Sequence, residues 1–249
     1  MDIIVKARDG RLTAEDVIGR DRFFVDEDGE TALHWAAGCG NLEAVGFLLE
    51  TIDGKIKATD ERIRYLFLKN TAGKPALHCA AQNGHTSIVK LLLTVAGLDE
   101  VRTKNKNTAL MLAIKSSHLE TCKVFIDFGV KELEHEDMIF RVVESRDLEI
   151  CKLFIDSGVK GIEHEALLYH AVESGNVEIC KLFLRPETLK WECPVDCSYT
   201  TPLHLAVELR NFQICKLLID AKNLRDGEGR LPKDLAKQRN LKDIEKLLS

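Results

Sequence analysis

The feature that most constrains this chain is a seven-residue phrase that it repeats. The phrase Thr31–Ala37 (TALHWAA) returns as Pro75–Ala81 (PALHCAA), Thr108–Ile114 (TALMLAI) and Thr201–Val207 (TPLHLAV). A second phrase, such as Glu149–Phe154 (EICKLF), follows at a fixed distance. A repeat of roughly 33 residues cannot bury its own apolar face, so it must stack on its copies. The chain is therefore predicted to form an array of stacked repeats instead of one domain around a central core.

Each repeat has the pattern of two short helices. In the earliest repeat the first helix is predicted over Ala32–Cys39, and a Gly40-Asn41 turn leads to a second helix with apolar residues at helical spacing. Thr or Pro at the opening position suits the start of a helix. The aligned opening positions are Thr31, Pro75, Thr108, Asp137, Ala166, Thr201 and Leu231. This pattern predicts an all-α fold.

The order, spacing and recurrence of these phrases resemble the ankyrin-repeat family from about Asp26 to Ser249. The resemblance implies a solenoid of stacked antiparallel helix pairs with short loops or β-hairpins between them and with terminal caps. Residues 1–25 lack the phrase and are expected to form an N-terminal helical cap, with helical pieces over Asp2–Ala7 and Ala14–Gly19. Residues 26–249 would form an array of about seven repeats, the last of which acts as the C-terminal cap.

Two parts of the array depart from the common pattern. The fourth and fifth repeats lack the Thr-Pro-Leu-His phrase and are shorter, which predicts tight turns at Gly129–Asp137 and Gly158–Ala166. The first repeat carries extra residues within Thr51–Thr71. We expect this insertion to contain a helix that starts near Thr59 and either to protrude or to lengthen a finger.

Charge and cysteine content limit the classes of partner and compartment. The formal net charge of −5 disfavours nucleic-acid binding, which needs dense Lys and Arg. No apolar run approaches the roughly 20 residues of a membrane helix, and the first residues do not have the pattern of a secretory signal peptide.

Cys122, Cys151, Cys180 and Cys215 occupy the position of Val89 in the second repeat, so we expect buried, reduced thiols. A cytoplasmic location is expected; the alternative is export into a host cell without a Sec-type signal peptide.

The histidines are predicted to have structural roles. His34, His78 and His204 recur at one position of the phrase, where an imidazole can bridge backbone groups of neighbouring repeats. His85 and His118 both follow the turn between helices. The chain has no Ser-His-Asp order, Gly-rich phosphate loop or His-Glu-x-x-His motif. We therefore expect no catalytic residue and no cofactor.

Two acidic tripeptides raise the question of a metal site. Glu134–Glu136 and Glu163–Glu165 both read Glu-His-Glu at equivalent places in the shortened connections, and two histidines with carboxylates are suitable ligands for a divalent cation. A solvated acidic turn beside a helix N-terminus is the simpler explanation. Cys193 and Cys197 lack further ligands at zinc-site spacing. We therefore predict no metal, with the paired tripeptides as the alternative.

Two positions of each first helix are predicted to face a partner, because in an array resembling the ankyrin family they border the groove. The predicted partner-binding residues are Trp35, Gln82, Leu112, Lys115, Arg141, Glu144, His170, Glu173 and Glu208. The groove would be apolar towards the amino end and acidic towards the carboxyl end, unless Arg141 and His170 neutralise the neighbouring carboxylates. Trp35 would be an aromatic anchor or, alternatively, would fill space against the N-terminal cap.

These features predict a monomeric, non-catalytic protein–protein interaction module. Its partner would be another protein, with a basic segment that matches the acidic part of the groove. Two alternatives stay open because a fold does not determine a function. The chain would then be an exported effector of an intracellular bacterium that acts on host proteins, or the specificity domain of a larger enzyme.

Overall fold

The computed structural model describes residues 3–17, 23–55, 64–96, 103–129, 138–159, 166–190 and 200–249. Within these ranges the regular structure is helical and contains no β-strand, which confirms the predicted all-α repeat fold. Contacts divide the chain into two compact units, residues 1–130 and residues 131–249. They are called the N-unit and the C-unit below.

The N-unit is built from helix pairs that stack on one another. Its helices are α1 (Ile3–Arg8), α2 (Ala14–Val17), α3 (Ala32–Gly38), α4 (Leu42–Lys55), α5 (Ala76–Gln82), α6 (Thr86–Ala96), α7 (Ala109–Lys115) and α8 (Leu119–Asp127). The first helices of the repeats, α3, α5 and α7, pack in sequence, and so do the second helices α4, α6 and α8. Helix α1 packs against α3 and α2 packs against α4, so the N-terminal helices cover the first repeat.

The C-unit repeats this arrangement. Its helices are α9 (Met138–Glu144), α10 (Leu148–Asp156), α11 (Leu167–Ser174), α12 (Val177–Phe183), α13 (Pro186–Leu189), α14 (Pro202–Glu208), α15 (Phe212–Leu217), α16 (Pro232–Gln238) and α17 (Lys242–Leu247). The first helices are α9, α11, α14 and α16, and each packs against the next. The second helices α10, α12, α15 and α17 form a parallel layer behind them, so the core of this unit lies between the two layers.

Side-chain caps determine where many of the helices begin. Thr108 Oγ1 accepts a hydrogen bond from the backbone N–H of Met111 at the start of α7. Asp147 and Asn176 accept from two N–H groups each at the starts of α10 and α12. These N–H groups have no partner inside their helices, so the caps stabilise the first turns.

Tight turns, called fingers here, precede four of the first helices. The fingers are Asp26–Glu30, Asn70–Lys74, Thr103–Asn107 and Asp226–Arg230. In each finger the first residue donates its N–H to the carbonyl of the last, and its side chain accepts from the N–H of the last. Fingers of the N-unit are also linked to each other, because Thr71 N–H donates to Asp28 and Lys104 N–H donates to Ala72.

The turns between paired helices use the left-handed region of the backbone. Gly84 has a φ of +73°, and a Cβ added to it would lie 2.5 Å from the imidazole of His118 in the next repeat. Gly175 has the same φ, but no described atom lies within 4 Å of such a Cβ. Glycine at position 84 therefore serves the backbone conformation and also the close approach of the next repeat.

Four thiols lie in the core, as the sequence predicts. Cys122, Cys151, Cys180 and Cys215 are free and 0% exposed, and Val89 at the equivalent position is equally buried. Burial raises the pKa of the last three thiols to about 12. They are therefore neutral, unreactive thiols at physiological pH.

Some predictions concern residues outside the described ranges. These are the helix start near Thr59, the tripeptides Glu134–Glu136 and Glu163–Glu165, and the pair Cys193 and Cys197. The two shortened connections also lie largely outside those ranges. The corresponding turns and the alternative metal site stay predictions.

Candidate functional site

The histidines of the repeated phrase bind the backbone of the following repeat. His34 is buried, and its Nε2 lies 3.0 Å from the carbonyl oxygen of Lys74 in the next finger. A carbonyl can only accept, so Nε2 carries the proton, and Nδ1 accepts from Thr31 Oγ1 at 2.8 Å. His204 has the same arrangement, with Nε2 3.0 Å from the carbonyl oxygen of Arg230. Each imidazole therefore joins a first helix to the finger of the next repeat.

The other histidines that contact neighbouring repeats have the same kind of role. His85 and His118 donate from Nε2 to carbonyl oxygens of the preceding repeat at 2.9 and 3.0 Å. Burial lowers the pKa of both His34 and His204, so these two imidazoles are neutral at physiological pH. The predicted structural role is confirmed for these four histidines.

Trp35, the predicted anchor, is held from two sides. Its indole Nε1–H donates to Asp26 Oδ2 at 2.7 Å, and the guanidinium carbon of Arg8 lies 5.9 Å from the ring centroid. The residue is nevertheless partly exposed. The ring therefore contacts α1 and also presents an accessible surface, and its role as a partner anchor stays a prediction.

Asp26 is a residue that the sequence analysis did not select. Burial alone would raise the pKa of Asp26, but hydrogen bonds from Trp35 and from the backbone N–H groups of Glu30 and Asp28 lower it below its ordinary value. The ionised carboxylate consequently orients the indole. The sequence signal for Asp26 was its position at the start of a finger, shortly before the repeated phrase Thr31–Ala37.

A cleft of about 300 Å³, called the Trp35 cleft, opens beside this indole. Its lining residues are Glu30, His34, Trp35, Gly38, Cys39, Asn70, Lys74, Cys79, Gln82 and Asn83. Burial raises the pKa of Glu30, although Glu30 Oε1 accepts a hydrogen bond from Asn70 at 2.7 Å. Burial also raises the pKa of the Cys79 thiol to about 12. The cleft therefore presents a neutral thiol, which is a poor nucleophile.

The remaining predicted residues of the N-unit differ in accessibility. Gln82 lies at the end of α5, where its Oε1 accepts a hydrogen bond from Lys74 Nζ at 2.5 Å. Lys115 is exposed at the end of α7. Leu112 is only 7% exposed, so it packs mainly in the core and supplies little contact area. The N-unit surface is therefore more polar than the sequence predicts.

The acidic positions of the C-unit are exposed but paired. Arg141 Nη1 lies 3.1 Å from Glu144 Oε2 on α9, and His170 Nδ1 lies 2.9 Å from Glu173 Oε2 on α11. Both pairs join residues three positions apart on one helix, which places them on the same face. The alternative of neutralisation by a neighbour is confirmed for Arg141 and Glu144 on α9, and on α11 a hydrogen bond joins His170 to Glu173.

Glu208 is paired through stacking. Its Oε1 lies 3.7 Å from Nη2 of Arg239, at the end of the next first helix, α16. Arg239 was not predicted from the sequence, because the two residues meet only when one repeat packs on another. Glu144 and Glu208 therefore each have an arginine neighbour, and Glu173 has a histidine neighbour.

The second helices of both units carry exposed ion pairs of their own. In each pair a Lys Nζ contacts the Oε1 of a Glu three positions earlier, at 2.5 to 2.9 Å. The pairs are Glu120–Lys123, Glu149–Lys152 and Glu178–Lys181. These glutamates carry the same charge as those of the first helices, and their side chains are 57–69% exposed.

No helix in the described ranges has both the length and the apolar character that crossing a membrane requires. No group of three or more His, Cys, Asp or Glu side chains in those ranges is arranged to bind a metal ion.

Family models agree with this geometry. A model described as "Ankyrin repeats (3 copies)" matches residues 58–137 and 138–227, and one described as "Ankyrin repeat" matches residues 28–61. The matches span most of the chain, which belongs to the ankyrin-repeat family. A comparison with curated proteins found no match. Ankyrin repeats are generally protein–protein interaction modules, so the class of function agrees with the prediction.

Proposed function

We propose that this chain is a monomeric, non-catalytic module that binds another protein through its first helices and fingers. The main support is the contrast between inner and outer positions of the repeats. Inner positions recur because packing and hydrogen bonding use them, as the buried thiols and the bridging histidines do. Outer positions of the first helices differ from repeat to repeat without a packing requirement, which leaves their side chains available for recognition.

In the N-unit the proposed contacts are Trp35, Gln82 and Lys115. Trp35 is the anchor, because a large aromatic ring that is oriented before binding loses little conformational entropy in the complex. Asp26 and Arg8 provide this orientation. The buried Leu112 supports the surface from beneath.

Replacing Trp35 by Ala is expected to weaken partner binding by about 2 kcal/mol or more, as is typical of an aromatic hot spot. The partner is first recovered from lysate with the tagged full chain and identified by mass spectrometry. Its affinity for the purified variant is then measured by surface plasmon resonance, and the melting temperature is recorded on the same sample.

An Arg8→Ala variant serves as the matched control, since it removes the packing contact of α1 with the indole but keeps the indole. It should weaken binding much less than Trp35→Ala does, because the hydrogen bond to Asp26 still orients the indole. If Trp35→Ala lowers the melting temperature strongly while binding is intact, Trp35 belongs to the fold and is not the anchor.

In the C-unit the proposed contacts are Arg141, Glu144, His170, Glu173 and Glu208, and the three glutamates would bind a basic segment of the partner. The side chains of the three glutamates are 39–56% exposed. Exposed ion pairs contribute only about 0–1 kcal/mol, so a Lys or Arg of the partner can replace the internal cation at little cost. Complementary charge of this kind mainly accelerates association and sharpens specificity.

Reversal of Glu144, Glu173 and Glu208 to Lys together is expected to slow association and to remove or invert its dependence on salt. Exposed charges act over about 8 Å at physiological ionic strength, so added salt should slow association of the original chain. Association rates at several salt concentrations provide the measurement.

The control for this variant reverses Glu120, Glu149 and Glu178 on the second helices to Lys. It changes the net charge by the same amount, but on second helices instead of first helices. If both variants affect association equally, only net charge matters. If neither does, recognition lies elsewhere, and the Thr51–Thr71 insertion becomes the next surface to test.

The proposal also places the protein in a reducing compartment, the cytoplasm. The support is that Cys122, Cys151, Cys180 and Cys215 are free thiols in the core. Disulfides form and persist mainly in oxidising compartments. Labelling of thiols in freshly lysed cells tests this assignment.

A further inference from the structure

A second cleft in the N-unit, called the lysine cleft, lies between two fingers and the end of α7. Its volume is about 380 Å³. Lys74 of one finger and Lys115 of α7 both line it. Asn105 and Asn107 of the next finger add amide groups to its wall, and Gln82 lies at its border with the Trp35 cleft.

The lysine cleft has a surplus of positive charge. None of the described residues that line it is Asp or Glu. Lys74 Nζ donates to the neutral amide oxygen of Gln82, and Glu30 of the Trp35 cleft interacts with Lys74 electrostatically. Lys115 is exposed and has no ion pair with any residue in the described ranges. The positive charge of Lys115 is therefore the less compensated of the two.

This situation differs from that of the C-unit. Lys115 occupies the same position of its repeat as Glu144, Glu173 and Glu208. Each of those glutamates has an Arg or His nitrogen within 4 Å, whereas Lys115 has no carboxylate beside it in the described chain. At this position of the repeat, the charge that has no opposite charge beside it is therefore the positive charge of Lys115 in the N-unit.

We infer that the lysine cleft binds an anionic side chain of the partner protein, a carboxylate or a phosphorylated hydroxyl, between Lys74 and Lys115. Two lysines can share the oxygens of one anion, and amide N–H groups of Asn105 and Asn107 can donate to the oxygens that remain. The inference rests on the proposed function, because it assigns one side chain of the partner to one cleft.

The test uses the ¹⁵N-labelled full chain and two probes, inorganic phosphate and acetate, at constant ionic strength. The side-chain amides of Asn105, Asn107 and Gln82 report on the cleft in two-dimensional NMR spectra. We expect saturable shifts of these amides. In a Lys74→Gln/Lys115→Gln double variant the apparent affinity should fall about three- to tenfold, as expected when two exposed charge contacts are lost.

A Lys90→Gln/Lys216→Gln double variant is the matched control, because it removes two exposed lysines of second helices. It should leave the shifts unchanged. Saturation by phosphate alone supports a phosphorylated side chain, and saturation by acetate, with or without phosphate, supports a carboxylate. Absence of saturable shifts, or equal loss in both double variants, overturns the inference. Since neither probe requires the partner, that failure is distinct from a failure of the proposed function.

Discussion

Replacement of Cys151 by Asp is expected to lower the free energy of unfolding by about 3–5 kcal/mol, the cost of leaving a buried charge uncompensated. Cys151 is 0% exposed, and its Sγ lies 3.6 Å from the carbonyl oxygen of Val142, to which it donates. A carboxylate there would face apolar side chains and an acceptor. Urea unfolding followed by circular dichroism gives the free energy. The loss should shrink at low pH, because burial raises the pKa of a carboxyl group and favours its neutral form.

The chain itself supplies the control for this variant. Val89 occupies the equivalent position of the second repeat and is fully buried. Cys151→Val should therefore cost less than about 1.5 kcal/mol, as volume-conserving core substitutions usually do. Labelling of the native protein should find Cys151 slow to react, and labelling of the denatured protein should find all eight thiols. Tolerance of aspartate, or rapid native labelling, would show that the assigned repeat register is incorrect.

Replacement of His204 by Ala is expected to destabilise the C-unit by about 3 kcal/mol. The variant loses the hydrogen bonds to Thr201 Oγ1 and to the carbonyl of Arg230, and each buried polar group left without a partner costs about 1–3 kcal/mol. A substitution to Met keeps more of the packing, because Met111 holds the same place after Thr108 in the third repeat. His204→Met should therefore fall between the original chain and His204→Ala in unfolding experiments.

The pH dependence of stability separates the hydrogen-bonding role of His204 from simple packing. Burial lowers the pKa of His204 below the ordinary value of 6.5, so the unfolded chain binds a proton at higher pH than the folded chain does. Stability from this group is fully present above about pH 6.5 and is lost as the pH falls towards the lower folded value. His204→Met should therefore lose less stability than the original chain as the pH falls. Titration of His34 should account for another part of the loss. An unchanged pH profile would contradict the buried neutral imidazole.

Features that repeat along the chain could be predicted from the sequence because they depend on local pattern. Cys122, Cys151, Cys180 and Cys215 recur at the position of Val89, and periodic burial is a property of the helix. The structural role of the histidines followed from the same recurrence. The pairing of Arg141 with Glu144 was also foreseeable, since residues three positions apart share a helix face.

Contacts between repeats could not be predicted in detail, because they join residues that are distant along the chain. Asp26 and Arg8 orient Trp35 from a finger and from α1, and neither was selected from the sequence. Leu112 was expected at the contact surface, but packing of the neighbouring helices buries it. The position of a side chain on its own helix does not determine how much of it the next element covers.

The amino-acid sequence by itself determined that this chain is an all-α array of ankyrin repeats, because a repeated unit with one apolar face has few ways to bury that face. The tertiary structure alone decided which charges on the first helices meet side chains of other repeats. Glu208 meets Arg239 only because α14 packs on α16, and Lys74 and Lys115 line one cleft only because stacking places the finger of Lys74 beside α7. Coulomb interactions depend on distance in space, and the stacking of repeats sets that distance.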